Sequence, residues 1–337
     1  MIIDCHGHIT APAGLQGYHA GLIAGRSRRG GEKLRFTDEQ ITHGIEHSRW
    51  GNAFELLSRV GTDMQFISIR PFTAGMYLKP YSIVRDYITA VNDTIAHTVR
   101  LYPRQYRGVI SLPQAPGMPA SDWLGEIDRF ADDPGIVGIT INPDPGEMGD
   151  DGTPGLGEKY WYPLYEKMVQ YDMPALIHGA SCGLSRLSYS THFINEETIA
   201  VTNLLDSNVF NDFPNIKIIV SHGGGAVPYQ YARWASGWAR RWGGRWGEAL
   251  RKLHYDSCVY SKEGLQCLLS VVGPDNVLFG TENPGTGNQV NPDTGRTIED
   301  IAPIIRDILG ETDAKKVLET NARRLFSRYK DLPGTPA

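Results

Sequence analysis

The 337-residue sequence predicts an α/β fold, a (β/α)8 barrel of the TIM type. Short apolar segments alternate with stretches of helical spacing, and such alternation implies parallel strand pairing. Eight units over about this length favour a closed barrel over a doubly wound open sheet. No stretch has the composition of a linker, so we predict one domain spanning 1–337.

The predicted strands are short apolar runs, at 2–5, 64–69, 108–112, 135–141, 174–177, 216–220, 253–256 and 276–279. Amphipathic spacing predicts helices at 38–59, 81–101, 121–132, 160–171, 196–210, 262–270, 299–309 and 313–327. Three connections are long insertions, at 9–37, 143–159 and 179–195. They follow carboxyl ends of strands, where barrel enzymes build their sites.

Composition and charge narrow the class of protein. The chain is 41% hydrophobic and 21% charged, which is ordinary for a globular protein, and its net charge is -5. The chain has no excess of positive charge that would attract nucleic acid, so the expected partner is a small molecule. No apolar run approaches the ~20 residues that span a bilayer. Membrane association is therefore not expected.

The cysteines indicate a compartment. Cys5, Cys182, Cys258 and Cys267 are scattered without a CxxC pair, and the chain lacks a signal-like segment. We expect a reducing cytoplasmic location.

His6 and His8 close the first apolar run and form the strongest local motif. In an extended strand, alternate side chains share a face, so both imidazoles point the same way. A single strand-end histidine is often a hydrogen-bonded core residue. Two of them, separated by one residue, favour a metal site.

Three further residues belong to the same predicted rim. His178 and His222 end the fifth and sixth strands, and Glu282 follows the eighth. Imidazoles with a carboxylate suit Zn²⁺, and Mn²⁺, Fe²⁺ or Co²⁺ accept the same donors. We expect one divalent ion, with Zn²⁺ the first choice. A core role for His178 and a solvated loop position for Glu282 are the alternatives.

Several motifs carry a family resemblance. They are Asp4-Cys5-His6-Gly7-His8, Asn142-Pro143-Asp144-Pro145, and the segments 161–167, 221–229 and 321–324. With them the chain resembles the amidohydrolase superfamily, in the branch of aminocarboxymuconate-semialdehyde decarboxylase. Within that branch it resembles a zinc-dependent carbon–carbon hydrolase of meta-cleavage products and an oxalomesaconate hydratase. Segments 70–72 and 192–198 are more similar to the hydrolase.

The resemblance implies roles for the rim residues. It implies that His6, His8 and His178 are metal ligands, and that His222 is a ligand or a base. Glu282 stands where most members carry aspartate, and it either binds the metal or holds the nucleophilic water. The fourth strand ends in Thr140-Ile141-Asn142 and has no lysine where a carbamate bridging two metal ions would sit. The resemblance therefore implies a mononuclear centre.

We expect a metal-dependent hydrolase that cleaves a carbon–carbon bond in a ring-cleavage product of aromatic catabolism. A metal-activated water would attack, and His222 and Glu282 would transfer protons. Two alternatives keep the same metal site. They are a hydratase of an oxalomesaconate-like unsaturated acid and a non-oxidative decarboxylase of an aromatic or muconate-type acid. A barrel without activity, acting as a scaffold, is disfavoured because the ligands are intact.

A carboxylated substrate needs cationic and polar groups around it. The candidate substrate-binding residues are Arg70, Asn142, Arg186, Tyr189, His192 and Arg233. Tryptophans recur at four-residue spacing, at 234, 238, 242 and 246, which predicts one helical stripe buried against the barrel or a partner subunit. A homo-oligomer, a dimer or larger, is therefore expected.

Overall fold

The computed structural model describes residues 1–9, 12–28, 33–147, 152–180 and 183–330. Its eight parallel strands follow one another in sequence order around a single sheet. They are β1 (Ile3–Ile9), β2 (Met64–Ile69), β3 (Tyr106–Ser111), β4 (Ile136–Ile141), β5 (Ala175–Ile177), β6 (Ile218–Val220), β7 (His254–Asp256) and β8 (Val277–Leu278).

The last strand returns to the first. Cys5 N donates to Phe279 O at 2.8 Å, and Glu282 N donates to His6 O at 2.6 Å. His8 N donates to Asn283 O at 3.1 Å, beside a parallel bridge between Gly7 and Asn283. These bonds close the sheet, and the predicted (β/α)8 barrel is confirmed.

Helices surround the strands. They are α1 (Gly14–Gly25), α2 (Asp38–Glu46), α3 (Ala53–Arg59), α4 (Ser82–Leu101), α5 (Gly125–Asp128), α6 (Tyr162–Gln170), α7 (Tyr189–Leu205), α8 (Val209–Asp212), α9 (Tyr231–Arg241), α10 (Trp246–Leu250), α11 (Lys262–Val272), α12 (Ala302–Lys315) and α13 (Asn321–Leu325). A π-helical turn, Lys316–Thr320, joins the last two.

The core has two layers, as the pleat of a closed sheet requires. Side chains such as Ile3, Phe66 and Val109 form an inner cluster together with Phe326 and Tyr329 from the C-terminal segment. The rings of Phe66 and Phe326 lie 4.8 Å apart, edge to face. The larger cluster lies between the strands and the helices. The C-terminal segment thus fills one end of the barrel, and the other end is left for the site.

Several helix predictions need correction. The predicted helix 38–59 is two helices, because the chain turns at 48–51, where Gly51 has φ of 106°. The predicted 121–132 helix shrinks to the 3-10 turn Ala120–Asp122 and the short α5. The insertion 9–37 contains a helix that the sequence pattern missed, α1.

The tryptophan stripe does not lie on one helix. Trp234 and Trp238 are on α9, and Trp246 begins α10. Gly243 and Gly244 separate the two helices with φ of 66° and 76°, values that end a right-handed helix. Trp246 is buried and its ring lies 5.1 Å from that of Trp238. Helical spacing brings the rings of Trp238 and Trp242 within 5.9 Å of each other, whereas Trp246 joins them across the turn.

Among the described residues, none of the helices combines the length and the apolar character that crossing a membrane requires. Cys5, Cys258 and Cys267 are free thiols, and Cys182 lies outside the described residues. The same holds for parts of the three long insertions, at 10–11, 29–32, 148–151 and 181–182, and for 331–337.

Candidate metal centre

His6 and His8 lie within β1, which runs four residues further than predicted. The register of β1 against β2 shifts between Asp4 and Gly7, so the strand is irregular where the histidines begin. The two imidazole centroids are 5.0 Å apart and both residues are buried. The shared face predicted from the alternation of a strand is found.

A neighbouring group holds the Nδ1 atom of each of these imidazoles. His6 Nδ1 lies 2.6 Å from Asp256 Oδ2, at the end of β7. His8 Nδ1 lies 3.2 Å from Ser68 Oγ on β2. The Ser68 hydroxyl lies within hydrogen-bond distance of the Gly7 carbonyl, so its oxygen can accept from His8. Both rings therefore present Nε2 to the barrel centre.

The other two histidines are held in the same way. His178 follows β5, and its Nδ1 donates to Gly179 O at 2.6 Å. His222 follows β6, and its Nδ1 lies 2.9 and 3.0 Å from the two carboxylate oxygens of Glu197 on α7. A carbonyl oxygen and a carboxylate only accept, so Nδ1 carries the hydrogen in both rings. In the neutral form, Nε2 then has a free lone pair.

The four Nε2 atoms converge on Glu282, which follows β8. Glu282 Oε1 lies 3.8 Å from His8 Nε2, 4.0 Å from His178 Nε2 and 3.9 Å from His222 Nε2. Donor atoms of His6, His178, His222 and Glu282 all lie within 4.8 Å of one another. All five predicted rim residues thus come together.

These residues fit a divalent metal ion. The Nε2 atoms of His6, His8, His178 and His222 are buried and have no hydrogen-bond partner. Each such atom costs about 1–3 kcal/mol when left unsatisfied. Imidazoles that are hydrogen-bonded at one nitrogen and directed to a common point at the other are the arrangement seen around metal ions. A divalent cation held there by His6, His8 and His178, with His222 and Glu282 beside it, would fit this arrangement.

Charge at the centre is shaped by burial and by close neighbours. Burial alone would raise the pKa of Glu282, but the adjacent His222 and His8 outweigh it and hold that pKa well below its usual value. Burial alone would lower the pKa of His222, but the charge of Glu197 raises it well above the usual value. For His8, burial outweighs the opposing effect of Glu282 and lowers the pKa to about 3.

Two of these residues adopt backbone angles that L-residues rarely take. His222 has φ of 49° and Glu282 has φ of 59°. Left-handed conformations of this kind cost about 1–3 kcal/mol each and are concentrated at functional sites. Tyr260, which also has a positive φ, donates its hydroxyl to Glu282 Oε2 at 3.0 Å. The carboxylate is therefore held from outside the histidine cluster.

Arg70 lies beside this centre, directly after β2. It is buried and donates to the backbone oxygen of Pro284, two residues after Glu282. Its guanidinium carbon lies 5.8 Å from the Trp50 ring centroid and 5.7 Å from that of Phe72. Burial lowers the pKa of Arg70, and the charge of Glu282 opposes that shift. Of the arginines predicted for substrate binding, this one is near the metal centre.

Tyr189 begins α7, so the predicted loop 179–195 is partly helical. Its ring centroid lies 5.7 Å from that of Phe72 and 4.9 Å from that of Phe193. Phe193 in turn lies 4.5 Å from the His222 ring. Burial and the charge of Glu282 raise the pKa of Tyr189. An aromatic wall thus extends from Arg70 to His222.

Asn142 and His192 are buried in other surroundings. Asn142 Oδ1 accepts from Asp144 N at 3.1 Å, and its backbone oxygen accepts from Gln114 Nε2 at 2.8 Å. Asn142 therefore shapes the turn after β4. His192 Nε2 lies 3.7 Å from Asp144 Oδ2. The structure shows neither residue in contact with the four histidines.

The structure does not bring Arg186 and Arg233 to the centre. Arg186 is exposed in a turn before α7, and Arg233 is exposed on α9, where it lines a cavity with Trp234 and Trp238. Both predictions relied on an arginine near a barrel loop. The turn around 185–186 and the outer position of α9 direct these side chains to solvent.

Sequence reasoning missed four supporting residues. Asp256 closes a predicted strand, which was an available signal, and Glu197 lies inside the segment 192–198 that carries the family resemblance. Ser68 and Tyr260 had no signal, since a strand serine and a loop tyrosine are common.

The fold and the site define an α/β barrel enzyme with a histidine–carboxylate metal centre. The chain belongs to the amidohydrolase family, whose model matches residues 3–328. This confirms the superfamily that the motifs predicted.

Two hydratases are similar over nearly the whole chain. A 2-keto-4-carboxy-3-hexenedioate hydratase from Sphingobium sp. is 34% identical, covering 97% of this chain and 96% of the relative. The crystal structure of 4-oxalomesaconate hydratase from Rhodopseudomonas palustris is 29% identical, with a TM-score of 0.85, covering 97% of this chain and 96% of that one.

Decarboxylases are more distant relatives. A 2-amino-3-carboxymuconate-6-semialdehyde decarboxylase from Dictyostelium discoideum is 27% identical, covering 79% of this chain and 73% of the relative. A 5-carboxyvanillate decarboxylase from Novosphingobium aromaticivorans with bound manganese has a TM-score of 0.71 at 19% identity, covering 97% of each chain, which shows the fold alone. The two hydratases described above favour the hydratase alternative over the carbon–carbon hydrolase that we expected first.

Proposed function

We propose that this protein is a metal-dependent hydratase that adds water across the conjugated double bond of a multiply carboxylated keto acid. The observation that carries the proposal is the likeness to two hydratases along nearly the whole chain, one of them at 34% identity. The convergence of four histidines and Glu282 supports a metal-dependent reaction.

The substrate class follows from the relative's name. In 2-keto-4-carboxy-3-hexenedioate, the C3–C4 double bond is conjugated with the C2 ketone. Water adds its hydroxyl to C4, one proton is lost from the water, and C3 gains one proton. The product is a tertiary alcohol, and the reaction needs no redox partner.

In this proposal, His6, His8 and His178 hold the ion, with Glu282 or His222 completing its ligand set. A divalent ion there would supply Lewis acidity, which polarises a carbonyl group and acidifies water at neutral pH. Glu282 Oε1 and His222 Nε2 are 3.9 Å apart, so both groups face the volume in which water and substrate would meet.

We assign the proton transfers to the two groups with opposed pKa shifts. Glu282 accepts the proton that water loses, and its lowered pKa supports the ionised form that this requires. His222 donates the proton that C3 gains, and the pKa raised by Glu197 supports the protonated form. Opposed shifts in two neighbouring groups are typical of acid–base pairs.

Arg70 binds a substrate carboxylate in this proposal. Its planar guanidinium suits a two-point contact with a carboxylate, and the nearby rings of Trp50 and Phe72 limit its motion. Tyr189 would contribute a second polar contact at the same wall.

The test is product analysis with metal-loaded protein and 2-keto-4-carboxy-3-hexenedioate. We expect loss of the conjugated absorbance and a single product heavier by one water, with solvent ¹⁸O found in the new hydroxyl. Glu282→Gln should abolish turnover, whereas Glu166→Gln, an exposed acid on α6, serves as the matched control.

Other products would contradict the proposal. Release of CO2 would establish a decarboxylase, the activity named for the Dictyostelium relative, and two organic fragments would establish the carbon–carbon hydrolase. No reaction with this acid or with 4-oxalomesaconate would refute the substrate class.

A further inference from the structure

A second group of metal-ligating side chains involves a neighbouring face of α7, about 100° round the helix from Phe193 and Glu197, which contact His222. His192 and Glu196 are one helical turn apart on that helix, so both point to the same side. Asp144 faces them from the turn after β4. One ligand atom from each of the three lies within 4.8 Å of the others, and none of them belongs to the first centre.

His192 is the informative member of this group. Only 2% of its surface is exposed, and its Nε2 has no hydrogen-bond partner. The 3.7 Å separation between that nitrogen and Asp144 Oδ2 is too long for a hydrogen bond. The imidazole is therefore directed at a carboxylate that it does not bond. Unpartnered Nε2 atoms facing a carboxylate are also the feature of the first centre.

We propose that Asp144, His192 and Glu196 form a second divalent-metal site. One imidazole and two carboxylates suit Zn²⁺ or Mn²⁺, and three protein ligands leave positions for water.

A second ion would act on the first centre through α7. Asp144 belongs to the turn after β4, whereas His192 and Glu196 belong to α7, so the ion connects two segments of the rim. The same helix carries Glu197, which holds His222, and Phe193, which packs on the His222 ring. Occupancy of this site would therefore fix the position of the group that we assign as proton donor.

The test counts bound ions. Protein loaded with Zn²⁺ and dialysed against a weak chelator should retain two ions per chain by elemental analysis. His192→Ala should retain one, His178→Ala should retain one, and the double variant should retain none. Asn195→Ala changes an exposed residue on the same helix and should retain two. The Tm of the wild-type protein should rise with the second equivalent of Zn²⁺, and that of His192→Ala should not.

The outcomes separate the two sites. One ion in the wild-type protein that persists in His192→Ala would overturn the second site and leave the first intact. One ion that is lost in His192→Ala and kept in His178→Ala would support the second site and refute the first. If His192→Ala does not fold, Glu196→Gln replaces it, and two retained ions in that variant would overturn the proposal.

Discussion

His6 Nδ1 lies 2.6 Å from Asp256 Oδ2, although 250 positions separate the two residues in the sequence. The carboxylate is itself fixed, because its other oxygen accepts from the backbone nitrogens of Gly223 and Cys258. The orientation of His6 therefore depends on Asp256, which is not itself one of the residues that converge on the metal centre.

Asp256→Asn should weaken metal binding at the first centre. Loss of the charged acceptor weakens the bond at His6 Nδ1 and loosens the orientation of the ring, and such changes typically reduce metal affinity 10–100-fold. Competition with a chelator measures the affinity. Asp307→Asn, an exposed acid on α12, is the control. An unchanged affinity would show that Asp256 does not position His6.

Glu197→Gln should reduce kcat while one ion remains at the first centre. The glutamine preserves the shape of the contact with His222 but removes the negative charge that raises the imidazole pKa. Removing a general acid typically costs 10²–10⁴-fold in rate. Steady-state kinetics and elemental analysis are measured together. Loss of the ion with the activity would indicate that His222 acts chiefly as a ligand.

Arg70→Lys should raise KM for the carboxylated substrate. A lysine keeps the charge but loses the planar two-point contact, at a cost of about 2 kcal/mol, or roughly 30-fold in kcat/KM. Arg85→Lys, on the exposed face of α4, should leave the kinetics unchanged. An equal effect in both variants would argue against a specific carboxylate contact.

Removal of metal should abolish activity and lower Tm. The buried Nε2 atoms of His6, His8 and His178 then have no partner, which disfavours the folded state. Dialysis against a strong chelator, followed by addition of Zn²⁺ or Mn²⁺, should restore both properties. Full activity after chelation, with less than one ion per several chains, would refute the metal centre.

His254 should make the protein less stable in mild acid. Burial and the charge of Arg324 lower its pKa to about 4, so the folded state favours the neutral ring. A pKa below the unfolded value of about 6.5 means that this stability is present at pH 8 and is lost as the pH falls. Between pH 8 and pH 5 the loss should be about 2 kcal/mol.

Urea unfolding of His254→Gln and of the wild-type protein at each pH checks this expectation. Titrations of other groups are common to both proteins and cancel in the difference. An identical pH dependence in the two proteins would show that His254 does not carry this effect.

The sequence was sufficient for the barrel and for the convergence of its ligands. In a barrel the carboxyl ends of all strands lie at one rim, so the sequence alone placed His178 beside His6. The Nδ1 partners could not be found in that way, because Glu197 approaches from a helix whose orientation depends on packing. The direction of Arg186 is likewise set by a local turn, and that of Arg233 by the outer position of α9.

The Gly223-Gly224-Gly225 run illustrates the same limit. The sequence pattern does not say why three glycines stand there, but the structure gives a packing reason. A Cβ on Gly225 would lie 2.4 Å from Thr198 Oγ1 and 2.5 Å from Ile194 O, both on α7.

The expected homo-oligomer stays a prediction.

The backbone hydrogen bond from Glu282 N to His6 O joins the segment after β8 to β1, and it does so at the metal centre itself. During synthesis the chain emerges from its N-terminus, so His6 and His8 exist long before Glu282. The ligand set cannot be complete until the eighth strand has paired with the first. The centre is therefore complete only when the barrel has closed, and removal of the first nine residues would remove both this junction and two of the four histidines of the centre.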